Sequence, residues 1–157
     1  MAIPEQHAGV LCLILRRFDY APVDWVVTGS MGMALQGIPC EVHDIDIQTD
    51  SPGAYRLGSR LAEFVVTAVR YVTSERIRSH LGEFEIEGVT VEIMGGIEKL
   101  VEGEWEEPVD VRNHRCWARL GELRVPVLSL EYEVEAYLKL GRSAEAARLR
   151  AYLDKRG

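Results

Sequence analysis

Two aspartates separated by one apolar residue are the feature of this sequence best suited to chemistry. Asp44 and Asp46 belong to residues 44–48, whose polar and apolar positions alternate and predict a β-strand. Because successive side chains of a strand point to opposite faces, the two carboxylates share one face. Like charges this close repel, and a hard divalent cation such as Mg²⁺ would remove the repulsion. An isolated pair of this kind also suits an ordinary solvated strand, so the pair alone leaves both interpretations open.

A glycine and a serine precede this strand. Gly29 and Ser30 follow an apolar strand, predicted over residues 25–28, and begin a short helix that runs to about Gln36. Backbone amides at the start of a helix carry partial positive charge, so this turn is suited to phosphate. Gly29 lets the backbone approach a ligand closely, and the Ser30 hydroxyl can donate to a phosphate oxygen. The alternative is a plain helix N-cap formed by Ser30.

Together these two motifs resemble the signature of a known superfamily. The runs Val27-Thr28-Gly29-Ser30 and His43-Asp44-Ile45-Asp46-Ile47, with the short segment between them, are similar to the polymerase-beta-like nucleotidyltransferases. The resemblance is to small bacterial and archaeal members, which include minimal nucleotidyltransferases, abortive-infection-type toxins and antibiotic-modifying enzymes. It extends over residues 25–93 and the terminal helices, and therefore accounts for most of the chain.

A third acidic residue is implied by this resemblance, on a strand that follows the two aspartates. Residues 83–93 alternate in two phases around Glu87-Gly88, which predicts a β-hairpin. Glu92, within Val91-Glu92-Ile93, is the best match to the third acid, although the family more often has aspartate there. Glu85 is the alternative, and either glutamate could instead be an ordinary solvent-facing residue of a strand.

The resemblance also indicates a lysine near the end of the chain. Residues 126–142 are similar to the C-terminal helix of these small enzymes, in which a lysine can reach the nucleotide phosphates. Lys139 is the candidate here, and the alternative is an exposed helix lysine.

The expected fold is α+β, with a mixed sheet, flanking helices and a short helical segment at the C-terminus. We expect residues 1–128 to form the catalytic core and residues 129–157 to form a helical segment packed on it. Apolar spacing predicts an opening helix over residues 5–18. Residues 73–80 and 97–107 are expected to be largely irregular, and residues 109–127 to form a peripheral hairpin.

The function implied by the resemblance is transfer of a nucleoside monophosphate from a nucleoside triphosphate to a hydroxyl group. Asp44, Asp46 and Glu92 would hold two Mg²⁺ ions about 4 Å apart, while Gly29, Ser30 and Lys139 would hold the phosphates. The acceptor would be a small molecule, an RNA or a protein. The alternative is a catalytically weak or inactive nucleotide-binding protein, or a partner protein in a system of toxin-antitoxin type.

Charge and composition bear on whether the protein binds nucleic acid, is secreted or crosses a membrane. The formal net charge of -7 argues against broad, sequence-independent binding to nucleic acid. The N-terminal residues do not resemble a signal peptide, and no apolar run is long enough to span a bilayer. The three cysteines, Cys12, Cys40 and Cys116, have no close pair and are expected to be buried or half-buried thiols. These features favour a cytoplasmic protein without a membrane partner.

Overall fold

The structure is a computed structural model and describes residues 3–156. Met1, Ala2 and Gly157, which belong to the predicted core and C-terminal segment, lie outside the described residues. The strands are β1 (Trp25–Thr28), β2 (Ile45–Thr49), β3 (Val65–Thr73), β4 (Ile77–Ile86), β5 (Val89–Val101), β6 (Glu104–Trp105), β7 (Arg115–Leu120) and β8 (Leu123–Leu128). The helices are α1 (Glu5–Phe18), α2 (Gly29–Leu35), α3 (Ser51–Arg60), α4 (Leu130–Lys139) and α5 (Ser143–Arg156), with 3-10 turns at Ala62–Phe64 and Val111–His114.

The strands form one mixed sheet in the order β3-β4-β5-β2-β1-β8-β7, and β6 pairs with β5. β2 runs parallel to β5 and β1 runs parallel to β8, whereas the other neighbours along the sheet are antiparallel. The predicted α+β class with a mixed sheet is confirmed. The two parallel pairings join segments that are far apart in the sequence.

One face of the central strands carries the main core. The inward side chains of β1, β2 and β5 pack against α1 and α3. The fully buried members of this core are, from the strands, Val27, Ile45, Ile47, Val91 and Ile93 and, from the helices, Leu11, Ile14 and Leu57. Since side chains alternate along a strand, the intervening residues Thr28, Asp46 and Glu92 lie on the opposite face. The same alternation that builds the core therefore keeps the acids out of it.

The C-terminal helices pack beside α2. Ser129 caps α4 by accepting a hydrogen bond from Tyr132 N at 3.2 Å, and Gly141, with φ of 75°, follows the end of the helix. α4 and α5 share an apolar cluster with the segment after α2, formed by Ile38, Leu130, Val134, Ala146 and Leu149. This cluster places both helices next to the turn that begins at Gly29. The division into residues 1–128 and 129–157 stays a prediction.

Three local predictions were wrong. Most of residues 73–80 belong to β3 and β4, and residues 97–107 continue β5 and add β6. The hairpin predicted as peripheral is part of the main sheet, because β8 pairs with β1 through Val27 and Val127 and buries Val125 and Val127 completely. β8 and the second half of β5 pair with segments distant in sequence, which local periodicity does not reveal. The joins of β3 to β4 and of β5 to β6 are short hairpins that the sequence analysis missed.

The expectations about membrane-spanning segments and about the cysteines can be compared with the structure. None of the helices within residues 3–156 combines the length and the apolar character needed to cross a membrane. All three cysteines are free thiols, and Cys116 is exposed rather than buried, because it lies on the edge strand β7.

Candidate active site

The turn between β1 and α2 approaches the acids closely. Gly29 adopts a φ of 66°, and a Cβ atom built there would lie 2.5 Å from Asp46 Oδ2. Only glycine allows this approach, because any side chain would both occupy the left-handed region and meet the carboxylate. Ser30 Oγ accepts a hydrogen bond from His43 N at 3.0 Å, which ties the loop before Asp44 to the turn. The Ser30 hydroxyl proton stays available for a ligand.

Three carboxylates meet on the far side of this turn. Asp46 on β2 lies directly opposite Glu92 on β5 in the parallel register, and Asp44 immediately precedes β2. One carboxylate oxygen from each of the three lies within 4.8 Å of the others. Glu85 is exposed on β4 opposite Thr90. The structure therefore brings Glu92, and not Glu85, to the two aspartates.

The cluster strongly opposes its own ionisation. Burial raises the pKa of Asp46 to about 7, with further contributions from the charges of Glu92, Asp44 and Glu133. Burial also raises the pKa of Glu92, followed by the charges of Asp44 and Glu83. A cation would reverse these shifts, and three carboxylates are the hard oxygen donors that Mg²⁺ prefers. The donor set therefore fits a magnesium ion.

A fourth acid, Glu133 on α4, was missed by the sequence analysis. Its side chain is 6% exposed, and its Oε2 atom accepts hydrogen bonds from Thr28 Oγ1 at 2.7 Å and Gly29 N at 3.1 Å. Burial raises its pKa, and the two hydrogen bonds oppose that shift. The available signal was its position: Leu130, Glu133 and Tyr137 follow helical spacing, so a charged residue lies on the buried face of the helix.

A cleft of about 650 Å³ opens in front of this arrangement. We call one side the acidic wall, formed by Gly29, Ser30, Asp44 and Asp46. We call the other side the helical wall, formed by residues of the C-terminal segment: Tyr137, Arg142, Glu145, Arg148, Leu149 and Tyr152. Within it, Arg142 forms an ion pair with Glu145 at 3.3 Å. Residues 38–43 line the cleft between the two walls, with the exception of Val42. A triphosphate in the cleft would meet carboxylates on one side and guanidinium groups on the other.

Lys139 is not one of the cations of the cleft. Its Nζ forms an ion pair with Glu106 at 3.1 Å, and its side chain lines a separate surface hollow next to Arg76 and Gly141. It is two positions beyond Tyr137, and two positions on an α-helix rotate a side chain by about 200°. The arginines that line the cleft are Arg142 and Arg148.

Comparisons with known proteins agree with this geometry. Residues 10–151 match the protein family described as Aminoglycoside-2''-adenylyltransferase. A Thermotoga maritima protein, provisionally described as a nucleotidyltransferase and solved by crystallography, is 49% identical with a TM-score of 0.87. That alignment covers 98% of this chain and 96% of the other. No curated protein gives a significant match.

More distant solved structures share the fold. The lincosamide antibiotic adenylyltransferase LnuA, bound to lincomycin, is 20% identical with a TM-score of 0.58, and 85% of each chain is covered. ANT(2'')-Ia in complex with adenylyl-2''-tobramycin is 13% identical with a TM-score of 0.60, covering 91% of this chain and 86% of the other. On the strength of the family match and the 49% identical relative, the chain belongs to the aminoglycoside-2''-adenylyltransferase family and is a nucleotidyltransferase.

Proposed function

We propose that this protein transfers a nucleoside monophosphate from a nucleoside triphosphate to a hydroxyl group in a magnesium-dependent reaction. The observation that carries the proposal is the carboxylate cluster of Asp44, Asp46 and Glu92, whose oxygens lie within 4.8 Å of one another beside the Gly29–Ser30 turn. Two of these acids and both turn residues line the same cleft. Metal-binding and phosphate-binding groups thus face one substrate position.

Each group of the cleft has a distinct part in this proposal. The Ser30 hydroxyl donates a hydrogen bond to a terminal phosphate oxygen. Gly29 contributes the close approach of the backbone rather than its amide, since that amide already donates to Glu133. Arg142 and Arg148 offset the negative charge of the triphosphate from the helical wall. Positioning and charge stabilisation supply most of the barrier reduction in such phosphoryl chemistry.

The carboxylates complete the reaction centre. Asp44, Asp46 and Glu92 would hold one or two Mg²⁺ ions, which when bound activate the acceptor hydroxyl and neutralise the leaving pyrophosphate. The acceptor oxygen forms a bond to the α-phosphorus as the bond to pyrophosphate breaks. An ionised carboxylate of the cluster can take the hydroxyl proton.

A small hydroxyl-bearing molecule with positive charge suits the acceptor side best. The cleft is lined by Glu41 and Glu145 as well as the aspartates, and the chain carries a net charge of -7. Such a field attracts cations and disfavours RNA. Lincomycin and adenylyl-2''-tobramycin are the molecules bound in two proteins of the same fold. An RNA or a protein acceptor is the alternative outcome of the test below.

The test is pyrophosphate release with each of the four nucleoside triphosphates, with and without Mg²⁺, across a panel of acceptors that holds cationic and neutral hydroxyl compounds, a transfer RNA and a hydroxyl-bearing protein. We expect Asp46→Asn to lower turnover about 10³-fold, because it replaces a charged ligand of the cluster with a neutral amide. Asp19→Asn, an exposed position just after α1, is the matched control and should behave as wild type.

Two results would overturn the proposal. Turnover that continues in EDTA would contradict the role of magnesium, and equal activity of Asp46→Asn would contradict the role of the cluster. Nucleotide binding without turnover for any acceptor would favour the catalytically inactive alternative.

A further inference from the structure

Glu133 is a buried carboxylate in a position where an apolar side chain would satisfy packing. It lies on the face of α4 that also carries Leu130 and Val134, which are 3% and 2% exposed. Burying an ionisable group costs free energy unless hydrogen bonds compensate, and apolar residues of similar volume often replace such groups without loss of stability. Packing therefore does not account for a carboxylate here.

Its contacts are directed at one point of the backbone. A single oxygen, Oε2, accepts both the Thr28 hydroxyl at 2.7 Å and the Gly29 amide at 3.1 Å. These two donors lie at the junction where β1 ends and the turn of the acidic wall begins. On its other side Gly29 touches Asp46, since a Cβ there would lie 2.5 Å from Oδ2. The position of the turn relative to Asp46 is thus held from the side of α4.

The same helix leads to the opposite wall of the cleft. Tyr137, one helical turn after Glu133, lines the cleft, and its carbonyl accepts a hydrogen bond from Arg142 N at 2.8 Å. The Arg142 guanidinium in turn lies 4.8 Å from the centre of the Tyr137 ring. Glu133 is therefore the hydrogen-bonded link between the phosphate-binding turn and the helix that presents the helical wall.

We propose that Glu133 is a positioning residue whose carboxylate fixes the Thr28–Gly29 backbone, and with it Ser30, relative to both Asp46 and the helical wall. This inference deepens the proposed function and rests on it for its kinetic consequence. The structural consequence of this inference, protection of the Gly29 amide from exchange, does not depend on the proposed function. The two consequences can therefore be measured separately.

The kinetic test compares two substitutions at one position. Glu133→Gln keeps an oxygen that can accept both hydrogen bonds, so kcat/KM for the nucleoside triphosphate should stay within about fivefold of wild type. Glu133→Leu removes the acceptor, and we expect kcat/KM to fall about 10²-fold, mostly through kcat, because the reacting groups lose their alignment. Glu135→Leu, an exposed position on the same helix, is the matched control and should be unchanged.

The structural test is hydrogen exchange of the Gly29 amide in the free protein, which needs no activity. Glu133→Leu should accelerate this exchange at least about tenfold, whereas Glu133→Gln should not. Thr28→Val and Thr28→Ser form a second pair that tests the same contact from the other side, in case Glu133→Leu does not fold. The serine variant keeps the donor and should match wild type, and the valine variant should lose activity.

The outcomes separate the two proposals. No pyrophosphate release by wild type, with the expected exchange behaviour, would defeat the proposed function and leave the link intact. Unchanged Gly29 exchange in Glu133→Leu would overturn the positioning role, and if that variant is unfolded, activity of Thr28→Val equal to that of Thr28→Ser would overturn it. So would a loss of activity in Glu133→Gln equal to that in Glu133→Leu, because the hydrogen bonds would then not be the cause.

Discussion

The acidic wall and the helical wall of the cleft differ in how they are supported. The acidic wall is part of the sheet: Asp46 lies between two fully buried isoleucines on β2 and is paired with Glu92 on β5. The helical wall stands on two helices outside the sheet, and its arginines, Arg142 and Arg148, are exposed. The acids of the cluster are thus fixed by the core, whereas the arginines of the cleft lie on the surface.

This difference indicates a division of labour. Buried neighbours restrict the acids to one geometry, which is what metal binding and in-line transfer require. Exposed arginines are less restricted than buried acids and can adapt to a ligand, at the cost of weaker preorganisation, even though Arg142 also contacts Glu145 and the Tyr137 ring. Substitutions in the acidic wall should therefore act on kcat, and substitutions in the helical wall on KM.

The largest effect should come from the third carboxylate. We expect Glu92→Gln to lower kcat about 10³-fold, because it removes a charged ligand from the cluster. Glu85→Gln, on the neighbouring strand but exposed, should retain activity and serves as the control. The measurement is steady-state pyrophosphate release at saturating Mg²⁺. Equal losses in the two variants would contradict the assignment of Glu92.

The next effect should come from the contact between the turn and Asp46. Gly29→Ala places a methyl group 2.5 Å from Asp46 Oδ2 and should lower kcat about 10²-fold. Gly121→Ala is the matched control, because Gly121 has a similar φ of 61° but open space around it. Both variants should lose about 1 kcal/mol of stability through the left-handed backbone, measured by denaturant unfolding. Only Gly29→Ala should lose activity, and a comparable loss in Gly121→Ala would implicate backbone strain instead.

A stability effect of intermediate size should follow from the acid cluster in the absence of metal. The folded state raises the pKa of Asp46 to about 7, so it favours the protonated form. The protonated Asp46 carboxyl therefore contributes to the free energy of unfolding in full below about pH 4, and this contribution is lost as the pH rises through 7. Asp46→Asn cannot ionise and should gain about 2 kcal/mol over wild type at pH 8 in EDTA, a gain that disappears near pH 4.

Urea unfolding of both proteins across this pH range is the measurement. Addition of Mg²⁺ at pH 8 should stabilise wild type and not Asp46→Asn, because the cation binds the ionised cluster. A difference between the two proteins that is independent of pH would contradict the raised pKa.

The smallest effect should come from the helical wall. Arg148→Ala should raise KM for the nucleoside triphosphate about tenfold with little change in kcat. The reason is that the positive charge of Arg148 would stabilise the bound substrate and the transition state equally. Arg150→Ala, an exposed arginine of the same helix that does not line the cleft, is the control. Lys139→Ala should change KM less than about twofold, as its ion pair with Glu106 is a surface contact. A larger effect of Lys139→Ala than of Arg148→Ala would reverse our assignment.

Local sequence patterns were sufficient for much of the fold. The helix predicted over residues 5–18 is α1, because its apolar spacing is unbroken and its limits are marked by Pro4 and the residues after Phe18. The strands before and after the Gly29–Ser30 turn were also predicted within one residue. Local patterns predicted the strand β8 but not its place in the main sheet, and they missed the second half of β5, because both depend on pairing with segments distant in sequence.

The amino-acid sequence alone determined that Asp44 and Asp46 flank one apolar residue at the start of a strand and that Gly29 and Ser30 form the turn between a strand and a helix. These are properties of neighbouring residues and follow from strand alternation and turn chemistry. The tertiary structure decided which further groups lie near them: Glu92 through the parallel register of β2 and β5, Glu133 through its bonds to the end of β1, and Arg142 and Arg148, rather than Lys139, along the cleft. Register, helix rotation and packing between distant segments set those choices, and no local period in the sequence encodes them.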